Sequence, residues 1–449
     1  MRKSWILSAL LVLLVALAAA IVLFPKTPVW TTSSPEALVE FQRGLEARMK
    51  MYEDEAAAHF TQALELDPDF VAARLVYMGC CVESDKRKEM LEEMRDVDTS
   101  HLSERESFML SFEFADLDRE WELRDQILLD YIDAHPKDPF ALWMYASQAW
   151  DAADLVAAER RYQRLLEVDP NWVQAQNRLG YIAMAQGRFA EAEELFGTYN
   201  YIAPDQANPH DSLGELLTLM GRYGEARKEL EKALAIKPDF CASYRHLLMV
   251  AILEGSLDST DQIVERAAAH CAEYDVAQMD CQAQLWRDFF YCEFEGPWTE
   301  GRETCNEITG DFSFIHHRME MLTDRRDDAL AREDRIRTEI AEAEKETGKT
   351  FAYARGFLHY MEGARMAIDG DFTGAAARFD EADTNMYYWF EGQGILKLYN
   401  RLHLAYALEH AGHEDEARQV LAKVEAINPR LASAYPEIKS VLGGDCLVD

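Results

Sequence analysis

The histidines are the first residues to consider for chemistry, because imidazole is the commonest metal ligand and general base. His316 and His317 are adjacent, so on a helix their side chains point about 100° apart and cannot both face one ion. His413-Glu414 begins like the helix of a zinc protease, but position 417 is alanine where the second histidine would stand. The sequence therefore predicts no metal site.

The eight cysteines show no Cys-x-x-Cys spacing, which argues against a thiol-redox centre or a zinc ribbon. Cys292 and Cys305 flank Gly296-Pro297 and could join two antiparallel helices through a disulfide. The alternative is that the cysteines are small apolar residues buried in helix cores. Cys292–Cys305 is the disulfide candidate, and the sequence leaves the connectivity open.

Motifs for phosphate binding and nucleophilic catalysis are missing from the sequence. It contains no Gly-x-Gly-x-x-Gly loop, no phosphate-binding lysine loop and no Gly-x-Ser-x-Gly elbow. An acidic site formed by Glu293, Glu295 and Asp311 is the catalytic alternative, since a fold never excludes a function. We predict a protein that is not an enzyme and has no cofactor.

Proline spacing indicates the elements that position these residues. Prolines at positions 68, 136, 170, 204 and 238 are separated by 68, 34, 34 and 34 residues. A period of 34 residues is typical of a helix–turn–helix unit, the tetratricopeptide repeat. Around it, Gly180, Ala192 and Phe196 supply the two small residues that let the helices approach and the large residue that fills their seam.

Turn and cap residues support the same phase. Gly187 and Gly221 stand where a left-handed glycine would end the first helix of a repeat. Ser103, followed by Glu106, predicts a capped helix start.

The predicted fold is all-α: a right-handed superhelical solenoid of tetratricopeptide repeats, preceded by a single N-terminal transmembrane helix. The predicted organisation is a membrane anchor at 1–26, seven repeats within 31–274, an irregular helical segment at 275–350, two further repeat-like units within 351–431 with an insertion near 389–394, and a C-terminal cap at 432–449.

The N-terminal run from Trp5 to Phe24 is uncharged and 20 residues long. As a helix it would span about 30 Å, which matches the hydrocarbon core of a bilayer. Arg2 and Lys3 precede it, so we expect the chain after Lys26 to lie on the periplasmic or extracytoplasmic side. A cleaved signal peptide is the alternative.

The chain resembles the repeat modules that follow a membrane helix in bacterial eukaryote-like protein kinases, nucleotide cyclases and transmembrane transcription regulators. The resemblance covers about residues 30–275 and lies in residues 31–34, 56–70 and 103–106. It implies a partner-binding or sensory module outside the membrane. Because only residues 1–4 precede the apolar run, we expect no effector domain.

The concave face of such a solenoid is lined by the first helices of the repeats. Their predicted exposed positions, which form the candidate binding site, are Trp143, Ser147, Trp150, Asn177, Tyr181, Asp211, Glu215 and Arg245. Aromatic side chains beside carboxylates suit a peptide with basic residues. For the two tryptophans, packing between repeats is the alternative.

The net charge is −35, so the protein should repel nucleic acid and attract basic protein partners. We therefore predict a protein–protein interaction scaffold in the cell envelope that binds polypeptides on its concave face. The alternatives are a ligand-sensing ectodomain that acts through a partner membrane protein and the enzyme described above.

Overall fold

A computed structural model describes residues 29–291, 313–323, 325–347, 350–388 and 393–442. Regular secondary structure within these ranges is helical, which confirms the predicted all-α class. No helix in them is both long and apolar enough to cross a membrane. The predicted span at 5–24, the Cys292–Cys305 pair and the acidic residues Glu293, Glu295 and Asp311 all lie outside the described residues.

The chain divides into two compact units, residues 1–145 and 146–449. The helices that begin in the first unit are α1 (Pro35–Met49), α2 (Glu53–Leu66), α3 (Val71–Cys81), α4 (Ser84–Glu93), α5 (Glu104–Leu117), α6 (Trp121–Ala134) and α7 (Pro139–Asp151), which continues into the second unit. Each of the predicted repeats in this region contains two of these helices or begins with α7.

The second unit contains α8 (Leu155–Val168), α9 (Val173–Ala185), α10 (Phe189–Ile202), α11 (Ala207–Leu219), α12 (Tyr223–Ile236), α13 (Cys241–Leu253), α14 (Asp258–Ala268), α15 (Glu273–Tyr291), α16 (Ser313–Leu322), α17 (Arg326–Thr347), α18 (Ala352–Ile368), α19 (Phe372–Asn385), α20 (Gln393–His410), α21 (Glu414–Glu425) and α22 (Pro429–Leu442). Consecutive helices pack against each other as α9/α10, α11/α12, α18/α19 and α20/α21.

A glycine on the first helix of several pairs faces a large side chain on the second, as the sequence predicts. In α9/α10, a Cβ added to Gly180 would lie 2.4 Å from Cε1 of Phe196. The same relation holds for Gly44 with Phe60, Gly214 with Leu230, and Gly363 with Phe379. Each large residue is fully buried, so the missing methyl group sets how closely the two helices approach.

The predicted caps are present. Gly187 and Gly221 have φ values of +76° and +72°, in the left-handed region that favours glycine. At α5, the Ser103 hydroxyl accepts from the Glu106 amide, and the Glu106 carboxylate accepts from the Ser103 amide. This capping box satisfies two amide groups that would otherwise lack a partner at the helix start.

In the first unit, the segment before α1 is fastened to the repeat helices. Trp30 packs edge-on against Phe41 of α1, with ring centroids 5.1 Å apart, and lies under the guanidinium of Arg105. The backbone amide of Thr31 donates to Oε1 of Glu106 at 2.8 Å. These contacts give residues 29–34 a fixed place on the helices.

Among the described residues, two disulfides join cysteine pairs that the sequence did not predict. Cys241, the first residue of α13, is bonded to Cys271, which follows α14, with 5.9 Å between their Cα atoms. Cys80 is bonded to its neighbour Cys81 at the end of α3. The Cys241–Cys271 disulfide joins the start of α13 to the segment that follows α14, and it closes a loop within the seventh predicted repeat.

Candidate functional site

The helices α9, α11 and α13 are the first helices of three successive repeats and pack in series within the second unit. We call the surface that carries Tyr181, Asp211, Glu215, Arg245 and His246 the inner face. Four of these five residues belong to the predicted binding set, and His246 is the addition.

Polar contacts connect the three helices across the inner face. The Tyr181 hydroxyl donates to Oε2 of Glu215 at 2.8 Å, which joins α9 to α11. The Ser243 hydroxyl donates to Oδ1 of Asp211 at 2.6 Å, which joins α13 to α11. The ring of His246 places Nδ1 at 3.0 Å from Asp211 Oδ1 and Nε2 at 3.7 Å from Glu215 Oε2.

His246 is positively charged at neutral pH. Burial disfavours the imidazolium, but the carboxylates of Asp211 and Glu215 outweigh it and raise the pKa of His246 to about 9. Both ring nitrogens of the protonated ring are donors, so one side chain can bond to both carboxylates. Burial and the same carboxylates raise the pKa of Tyr181 above its usual range, so its hydroxyl remains a donor.

This cluster does not have the arrangement of a nucleophile with its base. A catalytic serine donates its proton to a histidine nitrogen, and the histidine in turn donates to a carboxylate. Here the Ser243 hydroxyl bonds to Asp211 instead of the ring of His246. The cluster therefore connects repeats and neutralises buried charge.

The predicted exposure of the candidate binding residues is wrong for four of them. The exposed fraction is 8% for Trp150, 8% for Asn177, 3% for Asp211 and 8% for Glu215. The guanidinium of Arg178 lies 4.4 Å from the ring centroid of Trp150, so that ring takes part in packing between helices. Contacts between neighbouring repeats cover side chains that helical spacing alone places on a free face.

The other four predicted residues are partly buried. Ser147 contacts the hydroxyl of Tyr162 at 3.3 Å, and Tyr181 is held by Glu215. Trp143 and Arg245 are half-buried. A role of any of these residues in partner binding stays a prediction.

Later helices of the second unit pack over the inner face. Met184, Leu219 and Ile252 of the first helices share one apolar core with Trp286 of α15 and Phe314 of α16. The backbone carbonyls near the ends of α9, α11 and α13 each accept a hydrogen bond from this later part. The bonds are Tyr388 N to Ala185 O at 3.3 Å, Asn428 Nδ2 to Leu219 O at 3.1 Å, and Tyr291 Oη to Ile252 O at 2.5 Å.

These bonds satisfy carbonyl groups that a helix end leaves without an intrahelical partner. The inner face is therefore covered by the protein's own helices. Among the described residues of this unit, the face of α9, α11 and α13 that the sequence predicts to be free packs against α15 and later helices.

A cavity of about 510 Å³ remains between the inner face and its cover. Its wall on the repeat side includes Met184, Arg245, His246 and Met249. The opposite wall comes from α15, α16, α18 and α20, and includes Trp286, Phe314, Phe357 and Gln393. The sequence does not predict this second wall, since no repeat period relates its residues to α9, α11 and α13.

One group of potential metal ligands comes together within the described ranges: Glu53 with Cys80 and Cys81. The two sulfurs are joined to each other, so neither is the thiolate that a metal would need. Nε2 of His317 lies 2.8 Å from Oε1 of Glu333, and burial lowers the pKa of His316 to about 4.

Two models of known protein families match parts of the second unit. The family model described as Tetratricopeptide repeat matches residues 149–216, and a second model of the same description matches residues 209–240. This chain contains tetratricopeptide repeats. The matched segments run from the last residues of α7 to just beyond the end of α12. They include the inner-face residues Tyr181, Asp211 and Glu215. No curated protein matches the sequence.

Comparison with solved structures finds proteins that are similar to this chain. The APC/C hetero-tetramer Cut9-Hcn1 is 13% identical, with a TM-score of 0.50 over 90% of this chain and 76% of that chain. A tetratricopeptide repeat protein from Parabacteroides merdae is also 13% identical, with a TM-score of 0.34 over 62% of this chain and 100% of that one.

A mutant O-GlcNAc transferase from Thermobaculum terrenum is 23% identical, with a TM-score of 0.25 over 34% of this chain. The chain spans about a quarter of that enzyme's length, 26%.

Proposed function

We propose that this protein is a non-catalytic scaffold that binds partner polypeptides through its tetratricopeptide repeats. The observation that carries the proposal is the series of helix pairs in which a glycine closely approaches a large side chain, matched by the family models over residues 149–240. Helical repeat arrays expose large surfaces suited to binding other chains. Cut9, which has a similar fold, is described in a hetero-tetramer with Hcn1. We propose that the repeats form a right-handed superhelical solenoid.

The partner surface we propose includes α7, because the inner face of the second unit is covered. Trp143 lies on this first helix and is half-buried, and a large aromatic side chain is the type most often dominant in protein interfaces. With a net charge of −35, the scaffold should favour partners that present basic residues beside an apolar anchor.

Crosslinking tests this function. Proximity crosslinking in native membranes, read out by mass spectrometry, should recover a small set of polypeptides with the wild-type protein. Trp143→Ala should lose some of them. Trp121→Ala is the matched control, since Trp121 is 50% exposed on α6, the second helix of its pair.

The possible outcomes test the α7 partner surface and the scaffold function separately. If both variants recover the wild-type set, α7 is not the partner surface. If the wild type recovers no polypeptide above background, or the purified chain turns over a substrate, the scaffold function is refuted.

We also propose that the protein is anchored in the cell envelope with its repeats outside the cytoplasm. The apolar run at 5–24 supports an anchor. The Cys241–Cys271 disulfide supports an oxidising compartment, because disulfides are rare in reducing cytosol. Residues 25–29 can extend at most about 18 Å, so an anchor would hold the first unit close to the membrane.

Cell fractionation with protease protection tests this location. The expected result is a membrane-bound chain that external protease digests only after the outer barrier is opened. N-terminal mass spectrometry distinguishes an anchor from a cleaved signal. A protein recovered in the soluble cytoplasm with free Cys241 and Cys271 thiols would contradict the location and leave the scaffold function standing.

A further inference from the structure

The cavity between the inner face and its cover has the size and composition of a small-molecule site. Its volume of about 510 Å³ falls in the range of roughly 300–1,000 Å³ typical of ligand pockets. At the packing density of protein interiors, about 0.75, it would hold on the order of 20 non-hydrogen atoms. The cavity lies entirely within the second unit.

The wall of the cavity is mostly apolar. Trp286, Phe314 and Phe357 supply aromatic surface, and Met249 and Met361 supply flexible side chains that adapt to the shape of a ligand. The rings are packed together: Phe314 stacks on Phe357 with centroids 5.6 Å apart. A ligand for this wall must have an apolar body.

Arg245 is the charged group of the wall that is open to a ligand. Within the described ranges its half-buried guanidinium has no hydrogen bond and no ion pair. The other charged groups of the wall are engaged: Glu215 accepts from Tyr181, and His246 contacts both Asp211 and Glu215. A guanidinium in this position favours a planar anion that can accept two parallel hydrogen bonds.

A second polar group in the wall has unused capacity. Oε1 of Gln393, the first residue of α20, is buried with no hydrogen-bond partner among the described residues. Buried polar atoms in native proteins are nearly always bonded, so an orphaned acceptor in a cavity indicates water or a bound group. Gln278 and Gln282 add amide groups to the same wall.

We infer that this cavity binds a small monocarboxylate with an apolar body, its carboxylate held by Arg245 and its body against Trp286, Phe314 and Phe357. The ligand lies between the repeats and the helices that pack over them. Because the ligand binds only to the arrangement of helices that contains the cavity, ligand binding stabilises that arrangement. This site stands independently of partner binding.

Calorimetric titration of the purified full chain with biphenylcarboxylate and with decanoate tests the inference. The uncharged controls are biphenylcarboxamide and decanol. For at least one acid we expect saturable one-site binding with a Kd below about 1 mM, and the matching neutral compound should bind about tenfold or more weakly. Quenching of tryptophan fluorescence, to which Trp286 contributes, reports the same event.

Three variants define the site. Arg245→Met removes the charge at similar side-chain length and should weaken binding of the acid by about 10- to 100-fold, with little effect on the neutral compound. Arg245→Lys keeps the charge and should lose less. Arg227→Met is the matched control, because Arg227 pairs with Glu254 at the surface and does not line the cavity.

Filling the cavity provides a test that does not depend on charge. Ala354 lines the cavity on α18, and Ala354→Phe should abolish binding of both the acid and the neutral compound. Each variant is compared with the wild type by thermal melting, so that loss of folding is recognised. The inference is overturned if neither acid binds saturably, if the neutral compounds bind as tightly as the acids, or if folded Arg245→Met or Ala354→Phe binds like the wild type.

Discussion

Replacing Gly180 by alanine tests whether the close approach of α9 and α10 is what the repeat requires. The added Cβ would lie 2.4, 2.7 and 2.8 Å from three carbons of the Phe196 ring. Ordinary contacts between carbon atoms are about 3.5–4.0 Å, so the ring would have to move by roughly 1 Å. Phe196 is fully buried and packs edge-on against Tyr181, so it has no empty space to move into.

Two effects of opposite sign determine the magnitude. Overpacking a well-packed core typically costs about 1–3 kcal/mol of unfolding free energy. Alanine in place of glycine in a helix interior returns about 0.5–1 kcal/mol. With contacts as short as those at Gly180, overpacking should dominate, and we expect a net loss of about 1–2 kcal/mol.

Gly197→Ala is the matched control, because Gly197 lies in α10 of the same repeat. It is exposed, and an added Cβ would meet nothing within 4 Å. This variant should gain about 0.5–1 kcal/mol from helix propensity alone. The two substitutions are chemically identical, so their difference isolates the contact with Phe196.

Hydrogen exchange of the α9 and α10 amides measures this local stability, supported by urea unfolding of the whole chain. Gly180→Ala should exchange faster than the wild type and Gly197→Ala more slowly. Equal protection in the two variants would refute the reasoning, because the seam would then tolerate a methyl group and glycine would have no packing role there.

Three further outcomes are expected from other contacts. The double variant Cys241→Ser/Cys271→Ser should lose about 3–4 kcal/mol of stability in α13 and α14, since its loop spans 30 residues; unchanged urea unfolding would contradict this. The folded pKa of His246, about 9, lies above its ordinary value of 6.5, so its contribution to stability is fully present below pH 6.5 and is lost as the pH rises to 9. His246→Gln should flatten the unfolding free energy across that interval, and a profile that keeps the wild-type slope would exclude this origin. Asn428→Ala should cost about 1–3 kcal/mol and expose α22 to exchange, because it leaves Leu219 O without its buried donor; normal protection of α22 would show that this bond is dispensable.

The sequence by itself determined the features that recur at short range. The 34-residue spacing predicted the helix pairs, and the pairing of Gly180 with Phe196 follows from residues 16 positions apart. The capping box at Ser103 and the left-handed glycines at 187 and 221 depend on a single turn of chain. Each of these is decided by local sterics or hydrogen bonding that repeats from unit to unit, so spacing is enough to recognise it.

The 34-residue period could also have shown that two of the candidate site residues contact each other. Tyr181 and Glu215 are one period apart, and the structure joins them by a hydrogen bond of 2.8 Å. Within a single repeat, each of the two side chains lies on the free face of its helix, which is why both were predicted to contact a partner. Contacts between neighbouring repeats bury such positions, and they become visible only when the repeats are stacked.

Packing of later helices over the inner face, and the cavity that remains between them, are visible in the folded structure alone. The bond from Asn428 to Leu219 joins residues 209 positions apart, and Arg245 and Gln393 line one cavity although they are far apart in the sequence. Such contacts have no period, because they depend on where distant helices meet after the chain has folded back. The helices after 275 follow no regular repeat until 351, so the sequence shows that they are helical but not what they cover. Burial of their apolar faces against α9, α11 and α13 turns the predicted concave surface into one wall of a cavity.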